Sequence, residues 1–201
     1  MKKAIVEFSK NCYYSYSSLP NLKGYILFTQ NKNCNVVVEV KLTGLPIGIH
    51  GFHIHEKNIK QEYINDLKIG KTVKNLCNTL GGHFNPFGTQ HGSYKYATER
   101  HAGDLINNLE VDNSGAVNLV FIDPLISLYE EDINCILNRS IVIHEKPDDQ
   151  GLPGLKALMQ NRKLNKEEEE SLKTGNAGKR IACGNIILIK SKQTNICYNS
   201  I

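Results

Sequence analysis

The sequence predicts an all-β protein, built as an antiparallel sandwich or barrel. In residues 35–42, apolar side chains at the even positions alternate with mixed side chains at the odd positions, as in a half-buried strand. Other short apolar runs recur along the chain, separated by turn residues such as Gly44, Pro46 and Gly115. Many short strands between turns are typical of sandwiches and barrels. With 201 residues, 40% of them hydrophobic, the chain can bury one core.

Taken in order, the strand candidates are residues 4–8, 24–30, 35–42, a strand ending in 50–56, then 104–111, 116–122, 140–144 and 182–189. Residues 12–20 are polar and predict a turn. Gly115 supplies a hairpin turn between two of the later strands. This pattern predicts hairpin-connected strands and leaves three long segments outside them.

Those three segments are residues 57–85, 89–104 and 145–180, and connections of this length are usually functional or disordered. The third contains a helix predicted around residues 155–164, whose apolar stripe of Leu155, Leu158 and Met159 is expected to pack on the sandwich. The acidic run 167–170 is expected to be a solvated helical face and not a metal site.

Charge and cysteine spacing exclude several classes of protein. The net charge of +4 is modest and the basic residues are interleaved with acids, so we expect no nucleic-acid partner. No apolar run is long enough to cross a membrane, and too few apolar residues precede Glu7 for a secretory signal. We therefore expect no membrane partner and a cytoplasmic location. Six cysteines without a CxxC spacing exclude a zinc ribbon and a thioredoxin-type motif.

The histidines form the most informative pattern. In a strand, His53 and His55 point to the same side, because successive side chains alternate. Alone, such a pair is more often a solvated edge or a pair of hydrogen-bonded core histidines than a metal site. All seven histidines lie between positions 50 and 144, however, and six lie beside strands or in the loops, with Asp104 nearby. Imidazoles with one carboxylate suit Zn, Cu or Fe, and six exceed one tetrahedral site, so two metals are predicted, with or without a shared ligand.

Six motifs carry a resemblance to a known family. They are GFHIHE at 51–56, GHFNP at 82–86, HG at 91–92, ERHAGDL at 99–105, VIHEKPDD at 142–149 and KTGNAGKRIACG at 173–184. In this order, and over nearly the whole chain, they resemble the copper/zinc superoxide dismutases. The resemblance implies an eight-stranded antiparallel Greek-key β-sandwich or barrel, immunoglobulin-like in architecture, with long metal-binding and electrostatic loops.

The resemblance also implies a role for individual residues. The copper ligands match His53, His55, His83 and His144. The zinc ligands match His83, His91, His101 and Asp104, which makes His83 the bridging ligand. Asp148 matches the carboxylate that links a copper-binding and a zinc-binding histidine, and His50 matches a histidine that bonds to backbone. Arg180 is expected to dock the anion beside copper, with a structural ion pair as the alternative, and Lys173 to steer it. Cys77 and Cys183 match the family's disulfide, and the other four cysteines are expected to be thiols.

The implied activity is the conversion of superoxide to O2 and hydrogen peroxide, in antioxidant defence, by alternate reduction and reoxidation of copper. Each chain would hold one copper and one zinc, with His83 delivering a proton. The expected partners are the superoxide anion, a second copy in a homodimer and a copper chaperone. We expect one domain over 1–190, with insertions near 57–76 and 151–168, and a polar tail at 191–201. Asn138 stands where the family's dimer interface has a glycine.

Two other classes of function compete with the enzyme. A catalytically inactive relative that only binds zinc or a chaperone would be expected to have lost copper ligands or the arginine, and this chain retains them. A copper chaperone that shares the domain would carry a CxxC module, and this chain has none. The sequence therefore favours the enzyme.

Overall fold

The computed structural model describes residues 1–190, which form an antiparallel sandwich of two five-stranded sheets. The first sheet has the order β10, β1, β3, β4, β7, where β1 is Lys2–Phe8, β3 Lys23–Gln30, β4 Val36–Thr43, β7 Ala116–Asp123 and β10 Ile187–Leu188. The second has the order β2, β9, β8, β5, β6, where β2 is Ser15–Ser17, β5 Gly48–His55, β6 Asn108–Val111, β8 Ser140–His144 and β9 Arg180–Asn185. The predicted sandwich is confirmed, with two very short strands, β2 and β10, in addition to those expected.

The core lies between the sheets and follows the alternation of the sequence. The even positions of β4 are buried, and Phe52 and Ile54 of β5 belong to the same cluster. His53 and His55 are buried too, because the opposite face of β5 is covered by the long loops. Strand β5 therefore separates the apolar core from a buried polar site.

The long segments contain three helices and two short 3-10 turns. The helices are α1 (Gln61–Lys68), α2 (Leu152–Met159) and α3 (Lys166–Thr174), and the turns are Leu76–Leu80 and Ala102–Asp104. Helix α1 was not predicted. Helix α3 begins with a reciprocal cap, in which Asn165 and Glu168 each accept the other's backbone N–H at 2.9 Å. It includes the acidic run 167–170, of which Glu168 is buried and the other three residues are exposed.

The predicted apolar stripe of the helix near 155–164 was placed wrongly. Helix α2 ends at Met159, and Leu155, Leu158 and Met159 are exposed, whereas Gly154 and Ala157 are buried. The small residues allow α2 to lie close to α3, because a Cβ added at Gly154 would stand only 2.3 Å from Leu172 Cγ. Close approach of the backbones, and not side-chain size, decides which face is buried.

Three strand boundaries also differ from the prediction. Strand β2 lies inside residues 12–20, which were expected to be a turn, because its backbone pairs with β9. Residues 104–111 form a strand only from Asn108, since Asp104 ends a 3-10 turn. Residues 182–189 are divided between β9 and β10, which belong to different sheets. Each difference depends on pairing between distant segments.

A second apolar cluster surrounds the disulfide between Cys77 and Cys183, whose Cα atoms are 5.7 Å apart. The cluster includes Ile59 and Ile64, so the segment containing α1 packs against the end of β9. The predicted pairing is present. Cys34 and Cys135 are thiols, as expected.

The expectation of a thiol at Cys12 was wrong, because Cys12 is disulfide-bonded. Pairing depends on which sulfur atoms the fold brings within bonding distance, and spacing along the chain does not reveal this. Cys197 and the predicted tail at 191–201 lie outside the described residues. Within residues 1–190, no helix has the length and apolar character that crossing a bilayer requires.

Candidate metal centre

Seven side chains beside β5 form two adjoining groups of potential metal ligands. The first group is His53, His55, His83 and His144, and the second is His83, His91, His101 and Asp104. Within each group the ligand atoms lie within 4.8 Å of one another, and all seven residues are buried. His83 belongs to both groups, so the structure brings together all the ligands that the sequence predicted.

The first group is positioned by two neighbouring strands and one loop. His53 and His55 lie on one face of β5, and His144 ends β8, which pairs with β5. His83 follows the 3-10 turn at 76–80 and forms an isolated β-bridge with His55. The hydrogen-bonded sheet therefore fixes three of the four rings, and the bridge fixes the fourth.

In each ring of this group, one nitrogen contacts an oxygen atom of the protein. His53 Nε2 lies 2.7 Å from Asp148 Oδ2, His55 Nδ1 lies 3.0 Å from the Gly81 carbonyl, and His144 Nδ1 lies 3.2 Å from the Gly178 carbonyl. The opposite nitrogens are buried without a hydrogen-bond partner among the described residues: His53 Nδ1, His55 Nε2, His83 Nε2 and His144 Nε2. Buried polar atoms are rarely left unpaired, and one nitrogen held by the protein with the other unpaired is the pattern of metal-binding histidines.

The second group is organised by one carboxylate oxygen. Asp104 Oδ1 lies 2.8 Å from His83 Nδ1, 2.9 Å from His91 Nδ1 and 3.0 Å from His101 Nδ1. The angle at His91 Nδ1 is not that of a hydrogen bond. This nitrogen is therefore a fifth buried ring nitrogen without a hydrogen-bond partner among the described residues. Three imidazole nitrogens converging on one carboxylate match the three-histidine, one-aspartate set that suits zinc.

Asp148 connects the two groups. Its Oδ2 accepts from His53 Nε2 and its Oδ1 lies 2.8 Å from His91 Nε2, so one carboxylate orients a ring of each group. Gly175 permits this arrangement, because its φ is +70° and an added Cβ would stand 1.9 Å from Asp148 Oδ1. The role expected for Asp148 is therefore matched by its contacts.

The electrostatics suit ligands of a cation. Burial and the neighbouring His53 lower the pKa of His83 to about 3, although Asp104 opposes this. Burial lowers the pKa of His91 as well, but the carboxylates of Asp104 and Asp148 outweigh it and raise the pKa to about 10. Burial opposes ionisation of both aspartates, yet hydrogen bonds from the surrounding histidines hold their pKa values well below the usual range. The centre thus combines ionised carboxylates with a neutral shared imidazole.

A cleft of about 260 Å³ leads from the surface to the first group. Its lining includes His55, His83, His144 and Arg180. Arg180 donates from Nη1 to the Cys77 carbonyl at 2.8 Å and from Nη2 to the Gly81 carbonyl at 2.6 Å. The guanidinium is thus held by backbone and not by a carboxylate, so the structural ion pair considered as its alternative is not formed among the described residues.

Other predicted residues lie around this centre. Lys173 is exposed and lines a second cleft, which also reaches His83. His50 lies apart from both groups, with each ring nitrogen within 3.0 Å of a backbone carbonyl oxygen, as expected for a structural histidine.

Sequence reasoning missed the residues that hold Asp148 and one residue of the cleft. Asn107 Nδ2 donates to Asp148 Oδ2 at 3.1 Å, and Asn108 exchanges two hydrogen bonds with the Asp148 backbone. An Asn-Asn pair soon after Asp104 was the available signal. Glu170, expected to be solvated, lines the cleft, where its carboxylate accepts from Thr174 Oγ1 at 2.5 Å.

Comparison with known proteins gives a consistent result. The family model for copper/zinc superoxide dismutase matches residues 22–186. Superoxide dismutase (Cu-Zn) A of Xenopus laevis is 40% identical over 164 residues, which are 82% of this chain and 88% of that protein. The extracellular superoxide dismutase (Cu-Zn) of Drosophila melanogaster is 40% identical over 165 residues, 81% of this chain and 74% of that protein.

A solved structure extends the similarity to the fold. The crystal structure of the clock protein EA4 has a TM-score of 0.66 and 34% sequence identity, and the match covers 94% of both chains.

Proposed function

The chain belongs to the copper/zinc superoxide dismutase family. From this premise we propose which residues bind the metals, deliver the proton and dock the substrate. The protein is a superoxide dismutase, an oxidoreductase with copper and zinc as cofactors, which converts superoxide to O2 and hydrogen peroxide. Bound copper supplies the one-electron exchange of this reaction, and bound zinc supplies a fixed charge without redox change.

We assign copper to the first group of ligands and zinc to the second. The observation that carries this assignment is the set of five buried, unpaired ring nitrogens, all on residues of these groups. Copper would be held by His53 Nδ1 and by Nε2 of the other three histidines. Zinc would be held by Nδ1 of its three histidines and by the carboxylate of Asp104, whose Oδ1 lies within 3.0 Å of all three.

His83 is proposed to hold and deliver a proton. It presents Nε2 to the copper group and Nδ1 to the zinc group, so it is the ring that both metals would share. Contact of Nδ1 with Asp104 keeps this ring in one orientation. A proton taken up at Nε2 lies at the inner end of the cleft, where it can be passed to the substrate.

Arg180 is proposed to dock the superoxide anion at the inner end of the cleft. Two backbone carbonyls hold the guanidinium and leave other N–H donors of its planar fork for an anion. Lys173, exposed near the cleft, would attract the anion from solution, so the reaction rate should fall as salt rises. Glu170, on the lining itself, would reduce that attraction.

The homodimer, the copper chaperone and the cytoplasmic location also remain proposals. A cleft lined by the half-buried side chains of Ile187 and Leu188 supports the homodimer, because it lies in the region where Asn138 replaces the family's glycine. The thiol of exposed Cys34 supports a reducing compartment, although the disulfides of Cys12 and of Cys77 with Cys183 are more usual in an oxidising one. Sedimentation of the loaded protein tests the first proposal, binding of purified chaperone tests the second, and cell fractionation tests the third.

The test of the function is superoxide consumption by recombinant protein after reconstitution, with copper and zinc counted per chain. We expect about one copper and one zinc per chain and rapid turnover. His144→Ala should lose copper and activity but keep zinc, whereas Tyr96→Ala, at an exposed site, should keep all three. Zinc without copper, or both metals without turnover, would contradict the assignment.

A further inference from the structure

Helix α2 exposes an apolar face that no other described residue covers. Leu152, Leu155, Leu158 and Met159 are exposed to 50, 37, 43 and 85%. Their spacing places them on one side of the helix, because residues three and four apart are neighbours on a helix surface. Four large apolar side chains facing water on a helix of eight residues are characteristic of an interaction surface.

The helix cannot turn this face inward. Its opposite side, with Gly154 and Ala157, is buried against α3. Asp149 fixes both helices, since its carboxylate accepts from Gly151 N at 3.0 Å and from Ser171 Oγ at 2.8 Å. The apolar face is therefore a permanent feature of the surface.

The charges beside this face are positive. Residues 152–163 contain Lys156, Arg162 and Lys163 and no acidic residue. Arg162 is bonded to the carboxylate of Glu168. A cleft of about 570 Å³ connects the apolar and basic parts, with Leu152 and Pro153 next to Lys156 and Arg162 in its lining.

Of the acidic residues of α3, Glu168 lines this cleft as well, where it is paired with Arg162, so the charges of Lys156 and Lys163 remain. Glu169 lines the cleft beside His101, and Glu170 lines the cleft that leads to Arg180, so both face the metal centre. The apolar face of α2 and the lysines beside it therefore match a partner that has an apolar interior and anionic groups at its surface.

We propose that α2 and the basic residues after it form a docking surface for an anionic lipid bilayer. The helix would lie parallel to the membrane, with its four apolar side chains at the headgroup boundary and Lys156 and Lys163 at the phosphates. A planar partner fits better than a protein groove, because α3 covers the other side of α2 and leaves no room for a groove to enclose it. This revises the expectation of no membrane partner: the contact is at the surface, and no described helix spans the bilayer.

The test is flotation of the full chain, loaded with copper and zinc, with vesicles of phosphatidylcholine alone or mixed with phosphatidylserine. We expect binding to the mixed vesicles that weakens as salt is raised to about 0.15 M. Leu155→Ser with Met159→Ser, and separately Lys156→Glu with Lys163→Glu, should each weaken binding by roughly tenfold or more. Ile69→Ser with Ile133→Ser, at sites 70 and 69% exposed elsewhere, is the matched control and should bind like wild type.

Superoxide consumption should be unchanged in all these variants, which separates the docking surface from the metal centre. Absence of flotation with the mixed vesicles would overturn the proposal. So would flotation that the leucine and methionine variant retains, because general charge attraction would then explain it. A change of oligomeric state in that variant, measured without vesicles, would assign the face to contact between copies and would equally overturn it.

Discussion

At the scale of single residues, Asp148 has the contacts on which both groups of ligands depend. Its two oxygens orient His53 and His91, and Asn107 and Asn108 hold it in place. The carboxylate is buried and its pKa is depressed, so it is an acceptor for both rings at neutral pH. An orienting residue of this kind acts on metal binding without touching a metal.

Asp148→Asn should therefore weaken metal binding by about 10- to 100-fold, because an amide offers one oxygen where two ring N–H groups need acceptors. Competition with chelators of known affinity measures this for zinc and copper separately. Asp112→Asn, in an exposed turn, is the control and should leave both affinities unchanged. Unaltered affinities in Asp148→Asn would show that the two histidines hold their orientation without it.

The role proposed for Arg180 depends on geometry and not on charge alone. Arg180→Lys keeps the positive charge but loses the planar fork that contacts two backbone carbonyls. We expect kcat/KM for superoxide to fall by roughly tenfold, the effect of losing about one good hydrogen bond to an anion. The assay compares variants of equal copper and zinc content. Arg162→Lys, on the α2 side, is the control, and equal activity of the two variants would exclude docking by the guanidinium.

At the scale of elements, Glu168 of α3 holds the segment that connects α2 to α3. Its carboxylate accepts from Arg162 Nη1 at 2.8 Å and from the backbone N–H of Asn165 at 2.9 Å. Hydrogen bonding to Arg162 and Asn165 lowers the pKa of Glu168 from 4.5 to about 2. A carboxyl with a lowered pKa in the folded state stabilises that state above its unfolded pKa, and the contribution is lost as the pH falls toward the folded pKa.

Glu168→Gln should therefore lower the melting temperature at neutral pH, and the difference from wild type should shrink as pH falls from about 4.5 toward 2. Thermal unfolding of the two metal-free proteins, followed by circular dichroism across this range, measures the difference directly. Glu167→Gln, at the exposed neighbouring position, should give a small difference at every pH. A constant difference for Glu168→Gln would mean that its contribution is not electrostatic.

At the scale of the whole molecule, the disulfide joins the segment that contains α1 to β9 across 106 residues. It lies in the second apolar cluster, and the Cys77 carbonyl is one of the two acceptors that hold Arg180. One covalent bond therefore affects both the stability of the fold and the geometry of the cleft.

Replacing both cysteines, Cys77→Ser with Cys183→Ser, should cost about 4 to 5 kcal/mol of unfolding free energy if the loss of loop closure in the unfolded chain dominates. Turnover per copper should fall as well, because the carbonyl that orients Arg180 is released. Denaturant unfolding and superoxide consumption measure the two effects. Cys34→Ser with Cys135→Ser, at the free thiols, is the control. Loss of stability with full turnover per copper would show that Arg180 is held by the Gly81 carbonyl alone.

Much of the sandwich, and the residues of both groups of potential ligands, could be predicted from the sequence. The alternation in 35–42 determines which face of β4 is buried, and the spacing of His53 and His55 determines that both rings share a face. Both are local consequences of strand geometry. The longer motifs then supplied the resemblance that assigned the distant ligands.

The tertiary structure decided what depends on contacts between segments far apart in the chain. It determined that Asn107 and Asn108 hold Asp148, that Glu170 lines the cleft and that β2 pairs with β9. It also turned the apolar stripe of α2 outward, because Gly154 allows the closer approach to α3. Periodicity specifies which side chains share a face, but which face is covered depends on the neighbour that packs against it, and that is a property of the folded chain.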